Sequence, residues 1–319
     1  MRSPLLSLSL LAFACLSAPA MAQTPAPQTT AVTPAAATAV IRQSDLVAEY
    51  FAAPAGAASR GAVVVLGGSE GGFNGSRAMA RRLAADGLDA IAVSYFGGPD
   101  QTAKLDLIPI EPVGKAIDWL RARPGEGDEP IAVLGVSKGA ELALLTASRD
   151  DRIKAVVAGV PTNLVWQGID MSGGETGASW TAAGQPLPYV RYEMPNGFQG
   201  VYRLYADSLP KASPDAEIAV ERIAGPVLLV SATDDGLWPS TDMGRRIEAR
   251  LKAHAFAYPV THLAYDHAGH GVFGPPMAEA SPNVRAQLPF LGGTAEGLVA
   301  ARNDVWPRTV AFLKQALAD

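Results

Sequence analysis

Serine in a tight Gly-x-Ser-x-Gly turn is a candidate nucleophile, and this chain carries two such turns. They are Gly67-Gly68-Ser69-Glu70-Gly71 and Gly135-Val136-Ser137-Lys138-Gly139. The pattern demands small residues because the backbone there is crowded and strained. With glycine and serine this abundant the pattern alone is weak, so the flanking residues decide. Ser137 follows the apolar run Ile131 to Leu134, and Lys138 to Ser148 continues at once with helical spacing. That is the strand–turn–helix frame which lifts a hydroxyl clear of a sheet. Ser69 also follows a β-branched run, Ala62 to Leu66, but Gly71, Gly72 and Gly75 delay the next helix. Ser137 is therefore the expected nucleophile. The Gly67–Gly72 loop is the expected oxyanion hole, with the Ser69 and Lys138 backbone N–H groups as donors.

A serine hydroxyl needs a neighbouring base. All four histidines, His254, His262, His267 and His270, lie C-terminal to Ser137. Elbow folds of this kind run nucleophile, acid, histidine along the chain. His270 sits in the loop Asp266-His267-Ala268-Gly269-His270-Gly271, where flanking glycines let the ring reach the sheet's rim. His267 competes with it. His262 reads as a packed strand residue and His254 as a solvated helix end. The acid is expected after the strand Pro226 to Ser231, where Asp234 and Asp235 are adjacent. Only one of two neighbouring side chains can point at the ring. Asp235 fits the loop pattern better, and Asp234 remains the alternative. An H-x-x-H metal pair at His267 and His270 lacks a third ligand cluster, so neither metal nor another cofactor is expected. The Lys138 side chain is expected on the helix surface.

These groups need a scaffold, and the hydrophobic pattern supplies one. Strands are expected at Leu46–Ala52 (an edge), Ala62–Leu66, Ala90–Tyr95, Ile131–Leu134, Ile153–Ala158, Pro226–Ser231 and Tyr258–Ala264. Helices are expected at Ser76–Asp86, Glu111–Arg123, Lys138–Ser148, Thr241–Lys252 and Val299–Leu317. Continuous apolar strands alternating with helices mean an α/β protein, with a mostly parallel central sheet covered on both faces. Residues 161–214 break the rhythm with Gly, Pro and aromatics. They read as a cap-like insertion after the sixth strand, its aromatics lining a pocket.

The chain of 319 residues has 48% apolar and 18% charged residues and a formal net charge of −5. This excludes a disordered or coiled-coil protein and offers no basic footprint for nucleic acid. Residues 1–22 read as a signal peptide: Arg2, the apolar stretch Leu5 to Leu16, and an Ala20-Met21-Ala22 cleavage site. A secreted or periplasmic protein follows, with no stable membrane insertion. The single cysteine, Cys15, would leave with that segment. Residues 23–40 read as a flexible Ala/Thr/Pro leader, and 41–319 as the catalytic domain.

The segments LGGSEGG (66–72), GVSKGAELALL (135–145), GASWTAAGQPLPYV (177–190), GPVLLVSATDDGLWPS (225–240) and YDHAGHG (265–271) together resemble one family. It is the catalytic domain shared by acyl-CoA thioesterases and bile acid-CoA:amino acid N-acyltransferases. The resemblance spans roughly Gly61 to Pro276. It implies an α/β-hydrolase fold and acyl transfer from a thioester, with Ser137 as nucleophile, Asp235 as acid and His270 as base. Animal members carry a β-rich domain before the catalytic one, which the stretch from Gln23 to Arg60 is too short to hold. The expected activity is cleavage of a small-molecule acyl ester or thioester through an acyl-enzyme. An N-acyltransferase and a non-catalytic hydrolase-like binding protein are the alternatives.

Overall fold

The computed structural model describes residues 37–56, 61–123, 127 and 129–318. The expected signal peptide and most of the expected leader lie outside the described residues. The elements run β1 (Ala39–Gln43), β2 (Leu46–Phe51), β3 (Ala62–Leu66), α1 (Ser76–Ala85), β4 (Asp89–Ser94), β5 (Ile108–Pro109), α2 (Glu111–Arg121), β6 (Ile131–Val136), α3 (Lys138–Ala147) and β7 (Ile153–Gly159). They continue as β8 (Trp180–Ala182), β9 (Gln185–Pro186), α4 (Val201–Ser208), β10 (Val227–Ala232), α5 (Ser240–Ala253), β11 (Val260–Tyr265), α6 (Pro282–Leu291) and α7 (Ala295–Ala316).

Eight strands form one sheet in the order β1-β2-β4-β3-β6-β7-β10-β11. From β4 to β11 every neighbouring pair is parallel, whereas β1 and β2 pair antiparallel at one end. Every residue of β3 and β10 is buried. The unbroken apolar runs therefore arise because both faces carry helices. One face buries Val64, Val133 and Val156 with α2, α3 and α5. The other buries Val65, Leu134 and Val157 with α1 and α7.

Two boundaries differ from the sequence expectation. β2 is not an edge, because β1 folds back on it as a hairpin with Gln43 opposite Leu46. Ala39 and Val40, assigned by composition to the leader, open that hairpin. Their alternation was hidden by the Ala/Thr/Pro background. Second, α6 was not foreseen. Its N-terminus carries a readable signal, Ser281 capping Val284 N–H before Pro282 at the first helical position, but the helix buries no residue and so lacks an apolar stripe.

The 161–214 segment follows β7, the sixth strand of the large sheet in chain order. It is not structureless. β8 pairs with β9 and, in parallel, with β5 of the β4–α2 connection, making a separate three-stranded sheet, and α4 follows. Among the described residues no helix is long and apolar enough to cross a membrane.

Candidate active site

The turn between β6 and α3 holds Ser137 at φ 57°, ψ −122°, outside the regions ordinary side chains favour. Such a backbone costs about 1–3 kcal/mol and persists only where the surroundings over-determine it. Here they do. The Ser137 amide donates to Gly159 O on β7 at 2.9 Å, and its carbonyl accepts from Ala140 and Glu141. The two elbow glycines are required by contact. A Cβ on Gly135 would lie 2.0 Å from Gly139 O, and one on Gly139 would lie 2.2 Å from Gly67 O. The first turn of α3 thus rests directly on the loop after β3.

Three distant segments converge on the serine. His270 Nε2 lies 2.9 Å from Ser137 Oγ, and His270 Nδ1 lies 2.9 and 3.0 Å from the two oxygens of Asp235. A carboxylate only accepts, so Nδ1 carries the hydrogen and Nε2 presents its lone pair to the serine hydroxyl. Asp235 is held in turn by the Leu237 and Trp238 amides. Both His270 and Asp235 are buried.

The competitors are elsewhere. Asp234 is half exposed, with the exposed His267 ring 3.8 Å away. His254 is exposed at the end of α5. His262 is a packed strand residue between Ser231 Oγ (2.8 Å) and Glu248 (2.7 Å). No group of three or more His, Cys, Asp or Glu is placed to hold a metal among the described residues.

What brings the acid and histidine loops into register is a junction of bare backbone. Gly236 N–H donates to Leu291 O at the end of α6. A Cβ on Gly292 would meet Asp234 O at 1.9 Å, and one on Gly269 would meet Gly292 O at 2.0 Å. Gly292 has φ 81°, a value that favours glycine in any case. The unforeseen α6 therefore wedges between the two loops and fixes their spacing.

On the other side of Ser137, Gly67 and Gly68 run close past it. A Cβ on Gly68 would be 3.2 Å from Ser137 Cβ. Tyr95 Oη donates to both glycine carbonyls, at 2.6 and 3.1 Å. Its burial raises that phenol well above its ordinary pKa, so it remains a donor. Glu70 folds back to accept the Gly68 N–H at 3.0 Å. Lys138 opens α3, where helical N–H groups have no intrahelical partner. Ser69, Ser137 and Lys138 all line one cavity of about 1060 Å³. Its lip carries the exposed side chains of Met171, Met194 and Phe290.

The Lys138 side chain corrects the sequence reading. It does not lie on the helix surface but is buried, 1% exposed. Its Nζ lies 2.5 Å from Glu141 Oε2, one helical turn on, and 2.8 Å from Ser179 Oγ. The other Glu141 oxygen accepts from Trp166 N–H at 3.0 Å and Trp180 Nε1–H at 2.7 Å. Burial pushes Lys138 down and Glu141 up, and each partner's charge opposes that push. An i, i+3 Lys–Glu spacing is ordinarily a solvated pair, which is why sequence alone misplaced it. All three of its outside partners come from the insertion.

That insertion also differs in part from expectation. Trp166 and Trp180 are wholly buried and form its root. Tyr192 and Tyr205 do line the cavity, and Phe198 and Tyr202 point outward. Edge-on aromatic contacts run from Trp166 through Tyr205 and Trp238 to the His270 ring, with centroids 4.9–5.8 Å apart. This row packs the insertion against the histidine.

Residues 108–319, more than half of the chain, match the family described as BAAT / Acyl-CoA thioester hydrolase C terminal. The chain belongs to this family. Acyl-coenzyme A thioesterase 5 of Mus musculus is 27% identical over 241 residues, covering 74% of this chain and 56% of that protein. Acyl-coenzyme A thioesterase 1 of Homo sapiens is 27% identical over 265 residues, covering 80% and 60%. The chain thus spans somewhat more than half the length of these relatives. Among solved structures, the protein described as "Putative Dienelactone Hydrolase" from Klebsiella pneumoniae aligns over 85% of this chain and 93% of its own, with TM-score 0.51 and 19% identity. The fold is that of the α/β-hydrolases. For a member of this thioester hydrolase family, the buried pair makes a specific demand on stability. Glu141→Leu strands the Lys138 charge and should destabilise the protein by about 3–5 kcal/mol in urea unfolding. Lys138→Met with Glu141→Leu should recover most of that loss.

Proposed function

We propose that the protein is a serine hydrolase cleaving acyl thioesters or esters, with Ser137 as nucleophile, His270 as base and Asp235 as the acid that orients it. The observation carrying this reading is the hydrogen-bond chain Asp235–His270–Ser137 opening onto the cavity of about 1060 Å³. Ser137 Oγ attacks the acyl carbonyl and forms a C–O bond while its proton passes to His270 Nε2. The tetrahedral oxyanion is held by the Ser69 and Lys138 backbone N–H groups, each such donor being worth about 3–4 kcal/mol of barrier. Collapse breaks the bond to the thiol or alcohol, which takes the proton from His270. Water, deprotonated by the same ring, then releases the acid and restores the serine.

The apolar lip at Met171, Met194 and Phe290 suits an acyl chain, and family membership makes an acyl-CoA-like thioester the favoured donor. The proposal extends to the organisation read from sequence, with residues 1–22 a removed export signal, a leader from Gln23, and from the β1 hairpin onward a single catalytic domain bearing the 161–214 cap. Amino-terminal sequencing of protein recovered from a periplasmic or culture fraction should begin at Gln23. Recovery with Met1 intact, confined to the cytoplasm, would refute export.

Butyryl-CoA and p-nitrophenyl butyrate turnover test the roles. Ser137→Ala should lower kcat by at least about 10⁴-fold. Ser69→Ala should cost less than about tenfold, since its backbone N–H survives. Asp235→Asn should cost about 10⁴-fold by presenting the wrong tautomer, while the exposed Asp234→Asn should stay within about threefold. Full activity of Ser137→Ala, or the reverse ranking of the two aspartates, would overturn the assignment.

A further inference from the structure

Among the described residues that line the cavity, Lys138 and Arg302 are the two with cationic side chains. Lys138 is consumed by Glu141. Arg302, on α7, pairs with no acidic side chain among the described residues, and its surroundings act on it only by desolvation, which lowers it to about 10. It therefore stays cationic at neutral pH. Its Nε donates to Gly271 O at 2.8 Å, and its guanidinium lies flat along Gly274, where a Cβ would sit 3.1 Å from Cζ. Of its five N–H donors, this uses one. A partly buried cation that faces a cavity with no acidic partner among the described residues leaves its remaining donors and its charge open to an anion.

We propose that Arg302 is a binding residue for an anionic group, a phosphate or a carboxylate, on the leaving-group portion of the substrate. The position within the site indicates which portion. Gly271 follows His270, so the guanidinium is anchored one residue from the ring that must protonate the departing atom. The oxyanion donors come from the opposite segments, the loop after β3 and the start of α3. The proposal rests on the hydrolase reading above, in which His270 faces the leaving atom. Guanidinium forks suit phosphate and carboxylate oxygens alike.

The experiment compares wild type, Arg302→Met and Arg302→Lys on matched pairs of substrates. S-butyryl-4′-phosphopantetheine against S-butyryl-pantetheine isolates phosphate, and 3-carboxy-4-nitrophenyl butyrate against 4-nitrophenyl butyrate isolates carboxylate. For Arg302→Met the loss in kcat/KM should be about 10- to 100-fold greater on the anionic member of at least one pair, carried mainly by KM. Arg302→Lys should recover part of it. The pair that responds identifies the anion. Equal losses within both pairs would mean that Arg302 only braces the histidine loop through Gly271, and no loss in either would leave it no role; both results overturn the proposal.

Calorimetric titration separates this from the hydrolase reading. 4′-Phosphopantetheine should bind Ser137→Ala protein at least about tenfold more tightly than Ser137→Ala with Arg302→Met if phosphate is the ligand, while pantetheine binds both alike. The free carboxylated phenol serves the same purpose for carboxylate. Thermal unfolding of each variant confirms that the comparison is between folded proteins. A Ser137→Ala protein that still turns over neutral esters would remove the nucleophile assignment but leave this binding difference to be judged separately.

Discussion

The arrangement depends first on a pair of opposite charges taken out of water. Lys138 and Glu141 lie in the first turn of α3, directly after the strained serine, and neither reaches solvent. Two ions so placed are tolerable only if their remaining hydrogen-bonding capacity is filled. The three groups that fill it, Trp166 N–H, Ser179 Oγ and Trp180 Nε1–H, all belong to the insertion. The insertion is thus an obligatory neighbour of the elbow. Trp180 also meets Tyr95 edge-on at 5.5 Å, and Tyr95 holds the Gly67 and Gly68 carbonyls. Through these contacts one buried salt bridge ties together the serine turn, the root of the insertion and the loop after β3.

A second constraint acts on the acid and the histidine. Their loops are spaced by backbone atoms in direct contact with the end of α6, at Gly236, Gly269 and Gly292. Main-chain contacts of this kind have few alternative packings, so Asp235 and His270 are positioned as one unit. Ser137 is positioned by different means, through β6, α3 and the hydrogen bond from its amide to Gly159. The site is the meeting of these two rigid halves.

Much of this was legible in the sequence because it is local. The strands of the parallel sheet announce themselves as apolar runs, and the elbow as glycines at fixed offsets between a strand and a helix. The chain order of Ser137, Asp235 and His270 follows from topology. What was not legible depends on burial. The Lys138–Glu141 spacing is the same whether the pair is solvated or sealed, and only the docking of Trp166 and Trp180 decides. The hairpin at β1 hid in a biased composition. α6 has a cap but no apolar face, since its work is done by its last carbonyls rather than by its side chains. Arg302 carries no local pattern either; its significance lies in the acidic partner it lacks among the described residues.

The insertion has two ends of unequal character. Its root is locked into the charge pair and the aromatic row, whereas at its free margin Met171 is 90% exposed and Met194 53%. Divergence at the margin can proceed without disturbing the root. In the hydrolase proposed above, chains of different length or bulk would then be accommodated by exchange of a few thioether and aromatic side chains, so that preference among acyl groups would shift while the packing beneath stayed in place.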